Sequence, residues 1–226
     1  VHPLLGYQIQ LANQDGGYLF ECRLSAISPE FLADHQVHGQ VVLPGAAYVE
    51  MALVAAEQVL GQRSIIIDQM EIQQALVFHG EDKRVVQLLI EPQDEEMEEY
   101  KFNIYSRVYD VGLQERKVAN EQKGGRLTSG MWQMHAVGKV KCLREHEHNR
   151  DFIEFPEEIQ KRCKEVINIA KYYTAMNEAG LEYGDKFQGI EKLWTSNGEA
   201  LGKVNLPSNL KQASGQPTHD RPFIVN

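Results

Sequence analysis

The stretch Gly45–Leu60 (GAAYVEMALVAAEQVL) constrains this chain more than any other. It is Ala-rich, has no internal Gly or Pro and is closed by Gly61, so it predicts a helix. Its only strongly polar residues are Glu50, Glu57 and Gln58, and Glu50 and Glu57, seven apart, share one stripe. Nearly the whole circumference is apolar, and such a helix has to be wrapped on most sides.

Strands are the segments available to do it. Tyr18–Leu24 precedes the helix, and Ile65–Ile67, Ile72–Val77, Arg84–Glu91, Tyr100–Val108 and Gly130–Cys142 follow. Several alternate apolar and polar residues, as a half-buried antiparallel sheet requires. One apolar helix and a long sheet able to curl round it predict an α+β hotdog over residues 1–143. The acidic run Asp94–Glu99 reads as a solvated hairpin tip and Lys117–Gly125 as an exposed loop. Composition turns charged over 144–166, which is expected to be a linker. A shorter unit, 167–226, follows: a helix near 167–179, the turn-like GLEYGDKFQG, and a hairpin of Ile190–Thr195 and Ala200–Leu206 about Asn197-Gly198.

A formal charge of −9 and a pI near 5.4 argue against a non-specific nucleic-acid binder or an anionic-membrane adaptor. No apolar window is long enough to span a bilayer, and no secretory leader is expected. Cys22, Cys142 and Cys163 are widely spaced with no Cys-x-x-Cys pair, which fits inert thiols in a reducing cytoplasm.

The informative residues lie just before the apolar helix. Pro44 is expected at its first position, where a missing N–H costs nothing. Backbone N–H groups there carry partial positive charge and can polarise a carbonyl oxygen. His35 is close enough in sequence to sit beside them. A neutral imidazole next to a polarised thioester carbonyl is what α-proton abstraction needs. The other histidines read differently. His38 is expected in a structural hydrogen bond, His79 and His135 in turns or packing, and His146 with His148 in a solvated loop rather than a metal site. Neither a phosphate-binding Gly loop nor Gly-x-Ser-x-Gly is present, so no nucleotide cofactor and no serine-hydrolase chemistry are indicated.

The pattern His35-x-x-x-Gly39-x-x-x-x-Pro44 resembles the HxxxGxxxxP motif of dehydratase domains from modular polyketide synthases and related fatty acid synthases. The opening His2-Pro3-Leu4-Leu5-Gly6, the WQMHAVGKV strand from Trp132 to Val140, and the hairpin ending Val204-Asn205-Leu206-Pro207 are similar to that family in order and spacing. Tyr183-Gly184-Asp185-Lys186-Phe187-Gln188-Gly189 resembles its YGPxFQG segment. The resemblance implies a double hotdog, with the second hotdog incomplete in this chain. It implies loss of water from a 3-hydroxyacyl chain on the phosphopantetheine arm of an acyl carrier protein, giving an enoyl thioester. His35 would be the general base and Gly45 would offer its N–H to the thioester carbonyl. Tyr183, Phe187 and Gln188 would bind substrate in a tunnel, with Gly39 and Pro44 as motif residues. No further cofactor and no metal are expected; the implied partners are the carrier protein, neighbouring synthase domains and a second copy in a homodimer.

Two departures matter. Asp185 replaces the proline of YGPxFQG. The family's second half also supplies an Asp in an LLDxxxQ-like segment that protonates the departing hydroxyl, and no such segment occurs here. Asp220 lacks the surrounding pattern, while Phe223-Ile224-Val225-Asn226 looks like the residues just before it, so the parent is expected to continue. Double-bond migration, oxa-Michael ring closure and a silent scaffold or docking domain are the alternative readings on the same fold.

Overall fold

The computed structural model describes residues 1–12, 16–61, 64–93, 99–109, 131–142 and 155–205. The chain is α+β with antiparallel sheets and divides into two compact units, Val1–Asp151 and Phe152–Asn226. The acidic tip at 94–98, the loop at 117–125, His146, His148, the first part of the expected linker, Leu206, Pro207, Asp220 and the last four residues lie outside the described residues.

In the first unit, β1 (Tyr7–Ile9), β2 (Tyr18–Ser25), β7 (Lys83–Pro92), β8 (Glu99–Val108), β9 (Gln133–Cys142) and β5 (Ile65–Ile72) form one antiparallel sheet in the order β1-β2-β7-β8-β9-β5. Its register lines up Phe20, Leu88, Ile104 and Ala136 across four strands, all of them buried. That row packs in one core with α1 (Gly45–Leu60), as do Tyr48, Met51, Ala52, Ala55 and Ala56 of the helix. Burying side chains the size of Tyr48 and Met51 contributes roughly 1.5–3 kcal/mol each. Only Gly45, Ala46, Glu57 and Gln58 of α1 are exposed, so the helix is enclosed along its middle and open at its ends. Gly61, at φ +77, closes it.

Gly138 faces the core where the Phe102 ring crosses β9, and a Cβ there would strike that ring and the Gln69 carbonyl. One expected strand is not found. Residues 72–77 do not form a strand, because β5 runs on to Ile72 and the chain then turns. The N–H groups of Gln73 and Gln74 donate to the His135 carbonyl at 2.8 and 3.3 Å, and pairing resumes at β6 (Val77–Phe78). A second, small sheet runs β3 (His35–Val37), β4 (Gln40–Val42), β6.

The second unit has α2 (Pro156–Arg162), β10 (Glu165–Ile167), α3 (Ile169–Glu178), β11 (Leu181–Tyr183), β12 (Ile190–Ser196) and β13 (Glu199–Val204). Strands β10, β12 and β13 form an antiparallel sheet, with Asn197 and Gly198 (φ +78) as the tight turn. α2 and most of β10 fall within the span expected as linker. The charged residues there act locally: Glu157 and Glu158 sit in the first turn of α2, Lys161 and Arg162 in its last, and Arg162 forks onto Glu199 of β13. Asn168 caps α3 by accepting the Lys171 N–H at 3.0 Å. The Tyr173 hydroxyl accepts the Ile190 N–H at 3.1 Å, which ties α3 to β12. Among the described residues of this unit only Cys163 and Gly180 are buried.

Candidate active site

The motif spacing resolves into hairpin geometry. A short 3₁₀ turn, Glu30–Asp34, delivers the chain to His35 at the start of β3. Val37 faces Gln40, so His38 and Gly39 are the two central residues of the turn. Both have positive φ, 49° and 72°, the requirement of a type I′ turn. A Cβ on Gly39 would meet nothing within 4 Å, so glycine is needed there for its backbone freedom rather than for space. His38 is therefore a turn residue.

Gln36 faces Val41, so His35 lies across from Val42. Its Nδ1 is 2.8 Å from the Val42 carbonyl oxygen. A carbonyl can only accept, so Nδ1 carries the proton and the lone pair of the neutral ring sits on Nε2. The half-buried imidazole is thereby fixed in a base-competent tautomer.

Three residues beyond Val42 the helix begins. Pro44 occupies the cap rather than the first helical position: its φ, ψ of −59°, 145° are extended, and its carbonyl accepts the Ala47 N–H at 2.9 Å. Gly45 is the first helical residue and exposed, with an N–H that has no partner four residues earlier in the helix. The first turn holds no carboxylate, so its partial positive charge is not neutralised from within. Glu50, further in, engages His2 Nε2 at 3.2 Å. A Cβ on Gly45 would make ordinary contact with Ile72 Cδ1 at 3.6 Å.

The entrance is clamped by one residue that sequence reading passed over. Leu76 accepts the Leu43 N–H at 2.9 Å, and its own N–H donates to the Tyr48 hydroxyl at 3.2 Å. It thus holds the residues on either side of Pro44–Ala47. Burial pushes the Tyr48 phenol up to about 12, so the group is a neutral hydrogen-bonding anchor. Cys22 is likewise pushed up to about 12 by burial and, after that, by Glu21, and its thiol donates to the Leu4 carbonyl at 2.9 Å. That thiol is inert, as expected, and the three cysteines form no disulfide.

The structure thus brings His35, Gly39, Pro44 and Gly45 together in the first unit. In the second, Tyr183 and Phe187 pack with ring centroids 6.0 Å apart. Gln188 donates from Nε2 to the Tyr183 carbonyl at 2.6 Å, spanning the turn Asp185–Phe187. That turn is closed by the N–H groups of Phe187 and Gln188, so it forms with Asp185 in place of proline. Gln188 also lines an open groove of about 720 Å³ with Ile169, Tyr173 and Asn177 of α3. His79 is in a turn, its carbonyl accepting the Asp82 N–H, and His135 is buried in β9. Among the described residues no group of three or more His, Cys, Asp or Glu is placed to hold a metal, and no helix is long and apolar enough to cross a membrane.

Comparison with known proteins places this geometry. Residues 2–107 match the family described as polyketide synthase dehydratase domain, and residues 154–224 match the polyketide synthase dehydratase N-terminal domain. The chain is 29% identical over 215 residues to the polyketide synthase GfsE of Streptomyces halstedii, covering 95% of this chain and 5% of that protein. It is 31% identical over 187 residues to PksM of Bacillus subtilis, covering 80% of this chain and 4% of the relative. It therefore spans a small fraction of the curated relatives it matches. Among solved structures, the dehydratase domain from the CurK module of the curacin polyketide synthase superposes with a TM-score of 0.78 at 29% identity, over 95% of this chain and 67% of that one. The CurF dehydratase domain gives 0.78 at 29%, over 94% and 68%. Solved CurK dehydratases include inactive mutants in which a histidine is replaced by phenylalanine or an aspartate by asparagine. An antiparallel sheet wrapped round an apolar helix, a histidine fixed at the mouth of that helix and matches over most of the sequence agree with one another: the chain belongs to the polyketide synthase dehydratase domain family.

Proposed function

We propose that this chain dehydrates a 3-hydroxyacyl thioester to the α,β-unsaturated thioester during polyketide assembly. The observation that carries the reading is the bond from His35 Nδ1 to the Val42 carbonyl, which leaves the basic lone pair on Nε2. In the reaction Nε2 takes the proton from Cα. The N–H of Gly45 donates to the thioester oxygen as negative charge develops there, a contribution worth roughly 3–4 kcal/mol in comparable sites. The electron pair of the Cα–H bond becomes the double bond, and the Cβ–O bond breaks to release the hydroxyl as water. In the resembled family the acid that protonates that hydroxyl is an Asp in an LLDxxxQ-like segment, which this sequence does not contain.

Tyr183, Phe187 and Gln188 are proposed to bind the substrate, which arrives on the phosphopantetheine arm of an acyl carrier protein. Neighbouring synthase domains and a second copy of the chain are the proposed partners, in the cytoplasm. The loss of activity in a histidine mutant of CurK supports a histidine base. The test is His35→Ala in the full chain, with 3-hydroxyacyl thioesters as substrates and products analysed by mass spectrometry. Loss of water formation with unchanged circular dichroism is the expected result. Undiminished turnover rules out the base, and a wild-type product of unchanged mass points to isomerisation or ring closure instead.

A further inference from the structure

We infer that Ser106 and His135 are positioning residues for the helix entrance, acting through residues 73–78. The inference rests on the dehydratase reading and adds to it a part remote from the motif.

His135 is the extra residue of a bulge in β9, since Ile104 faces Ala136 while Tyr105 faces Met134. The bulge turns its side chain inward beside Ser106, and both are buried, at 1% and 0% exposure. The ring makes two hydrogen bonds, Nδ1 to the Gln74 carbonyl at 2.9 Å and Nε2 to Ser106 Oγ at 2.7 Å. The carbonyl can only accept, so Nδ1 holds the proton and Nε2 accepts from the serine hydroxyl. Arg84 Nη1 approaches Ser106 Oγ at 3.5 Å from the other side. The donors thus run one way, Arg84 to Ser106 to His135 to Gln74, an arrangement in which each bond strengthens the next. Burial first, and the Arg84 charge as well, hold the imidazole below its ordinary range and so in the neutral form that this chain of bonds needs.

A buried Ser–His pair suggests a nucleophile, but neither side chain is reachable from solvent. What the pair grips is a backbone segment. The His135 carbonyl takes the N–H groups of Gln73 and Gln74, and its ring takes the Gln74 carbonyl, three bonds onto two consecutive residues. Two residues on, Leu76 holds Leu43 and Tyr48, and Val77 pairs with Val42. Val42 is the residue whose carbonyl fixes His35. Every link from Ser106 to both His35 and the Gly45 end of α1 is therefore a hydrogen bond, a strand pairing or two to three residues of continuous backbone within the first unit. A shift of the 73–76 segment moves the base and the oxyanion donor together.

The test compares His135→Leu, His135→Asn and Ser106→Ala with Val140→Ala, a core change further along β9, all in the full chain. Asn can still donate to the Gln74 carbonyl; Leu cannot. Kinetics are measured per folded molecule, and the His35 tautomer is read from long-range proton–nitrogen NMR correlations, which need no turnover. His135→Leu is expected to lower kcat roughly ten- to hundredfold with little change in KM and to disturb the Nδ1–H signature of His35. His135→Asn is expected to restore both in large part, Ser106→Ala to fall between, and Val140→Ala to lose stability alone. If His135→Leu instead matches Val140→Ala in kcat and leaves the His35 signature intact, the inference is wrong. Should His135→Leu not fold, His135→Asn and Ser106→Ala decide it: wild-type kcat and an unchanged signature in Ser106→Ala overturn it. No turnover on any 3-hydroxyacyl thioester by a protein that carries this chain together with the partner acid removes the dehydratase reading, while the NMR comparison still decides whether Ser106 and His135 set the His35 hairpin.

Discussion

His35 and Val42 face each other across a two-residue turn, and the carbonyl of one holds the ring of the other at 2.8 Å. The identity of residue 42 hardly matters to this contact, because the acceptor is backbone. What matters is the register of the hairpin, and that is set by the turn.

The turn is accordingly the first place to test. Gly39→Ala forces a side chain into positive φ at 72° with no steric contact to relieve, so its effect is conformational. It is expected to cost about 1–2 kcal/mol of stability. Slippage of the hairpin should lower kcat as well. His38→Asn, at φ 49°, is expected to be neutral or slightly stabilising, since Asn tolerates that region better. Thermal unfolding and turnover of the two variants side by side provide the check.

Gly45 allows the oxyanion donor to be removed without removing the helix. Proline is favoured at the first helical position, and Pro44 before it already has the extended conformation that a following proline requires. Gly45→Pro is expected to fold with stability within about 1 kcal/mol of wild type while kcat falls roughly 10²–10³-fold. Gly45→Ala keeps the N–H, makes only the 3.6 Å contact with Ile72, and should retain most activity. Equal turnover for the proline and alanine variants would exclude Gly45 as the donor.

Gly138 is a purely structural counterpart. Any Cβ there meets the Phe102 ring and the Gln69 carbonyl, and a backbone oxygen cannot swing aside. Gly138→Ala is expected to destabilise the first unit by about 3 kcal/mol or more, visible as a lower melting temperature or insoluble expression.

His135 gives the fold a pH dependence of defined sign. Its pKa is lowered in the folded state, chiefly by burial, whereas in the unfolded chain it lies near the ordinary value of about 6.5. Below that pH the unfolded state binds a proton that the folded state refuses. The stabilising contribution is therefore fully present above about 6.5 and declines as the pH falls toward the lowered value, by at most about 1.4 kcal/mol per pH unit. Urea unfolding at neutral and mildly acid pH should show a smaller decline for His135→Asn than for wild type.

The helix Gly45–Leu60 was legible to the residue because its composition, its apolar circumference and its closing glycine all say the same thing. The wrapping strands were legible from alternation for the same local reason. The turn at 73–76 was not, since its N–H partners come from His135, more than sixty residues away, and no local pattern encodes a bond to a distant carbonyl. Proline's preference covers both the cap and the first turn, so composition alone does not settle which of the two Pro44 takes. In the site, His35 stood out through its spacing, but Val42 and Leu76 act through backbone atoms that no side chain announces. His135 offered one usable sign, a titratable ring among Met134, Ala136 and Val137 in its strand.

The four-residue connection between β5 and β6 has its first two residues anchored to the large sheet and its last to the helix mouth. Its length is consequently not free to drift. A single inserted or deleted residue would put the two anchorages out of step, whereas the Asn197-Gly198 loop, open to solvent beyond Gly198, has no such obligation. Homologues of this domain, and libraries built from it, should vary in size at the latter and hold a constant count at the former.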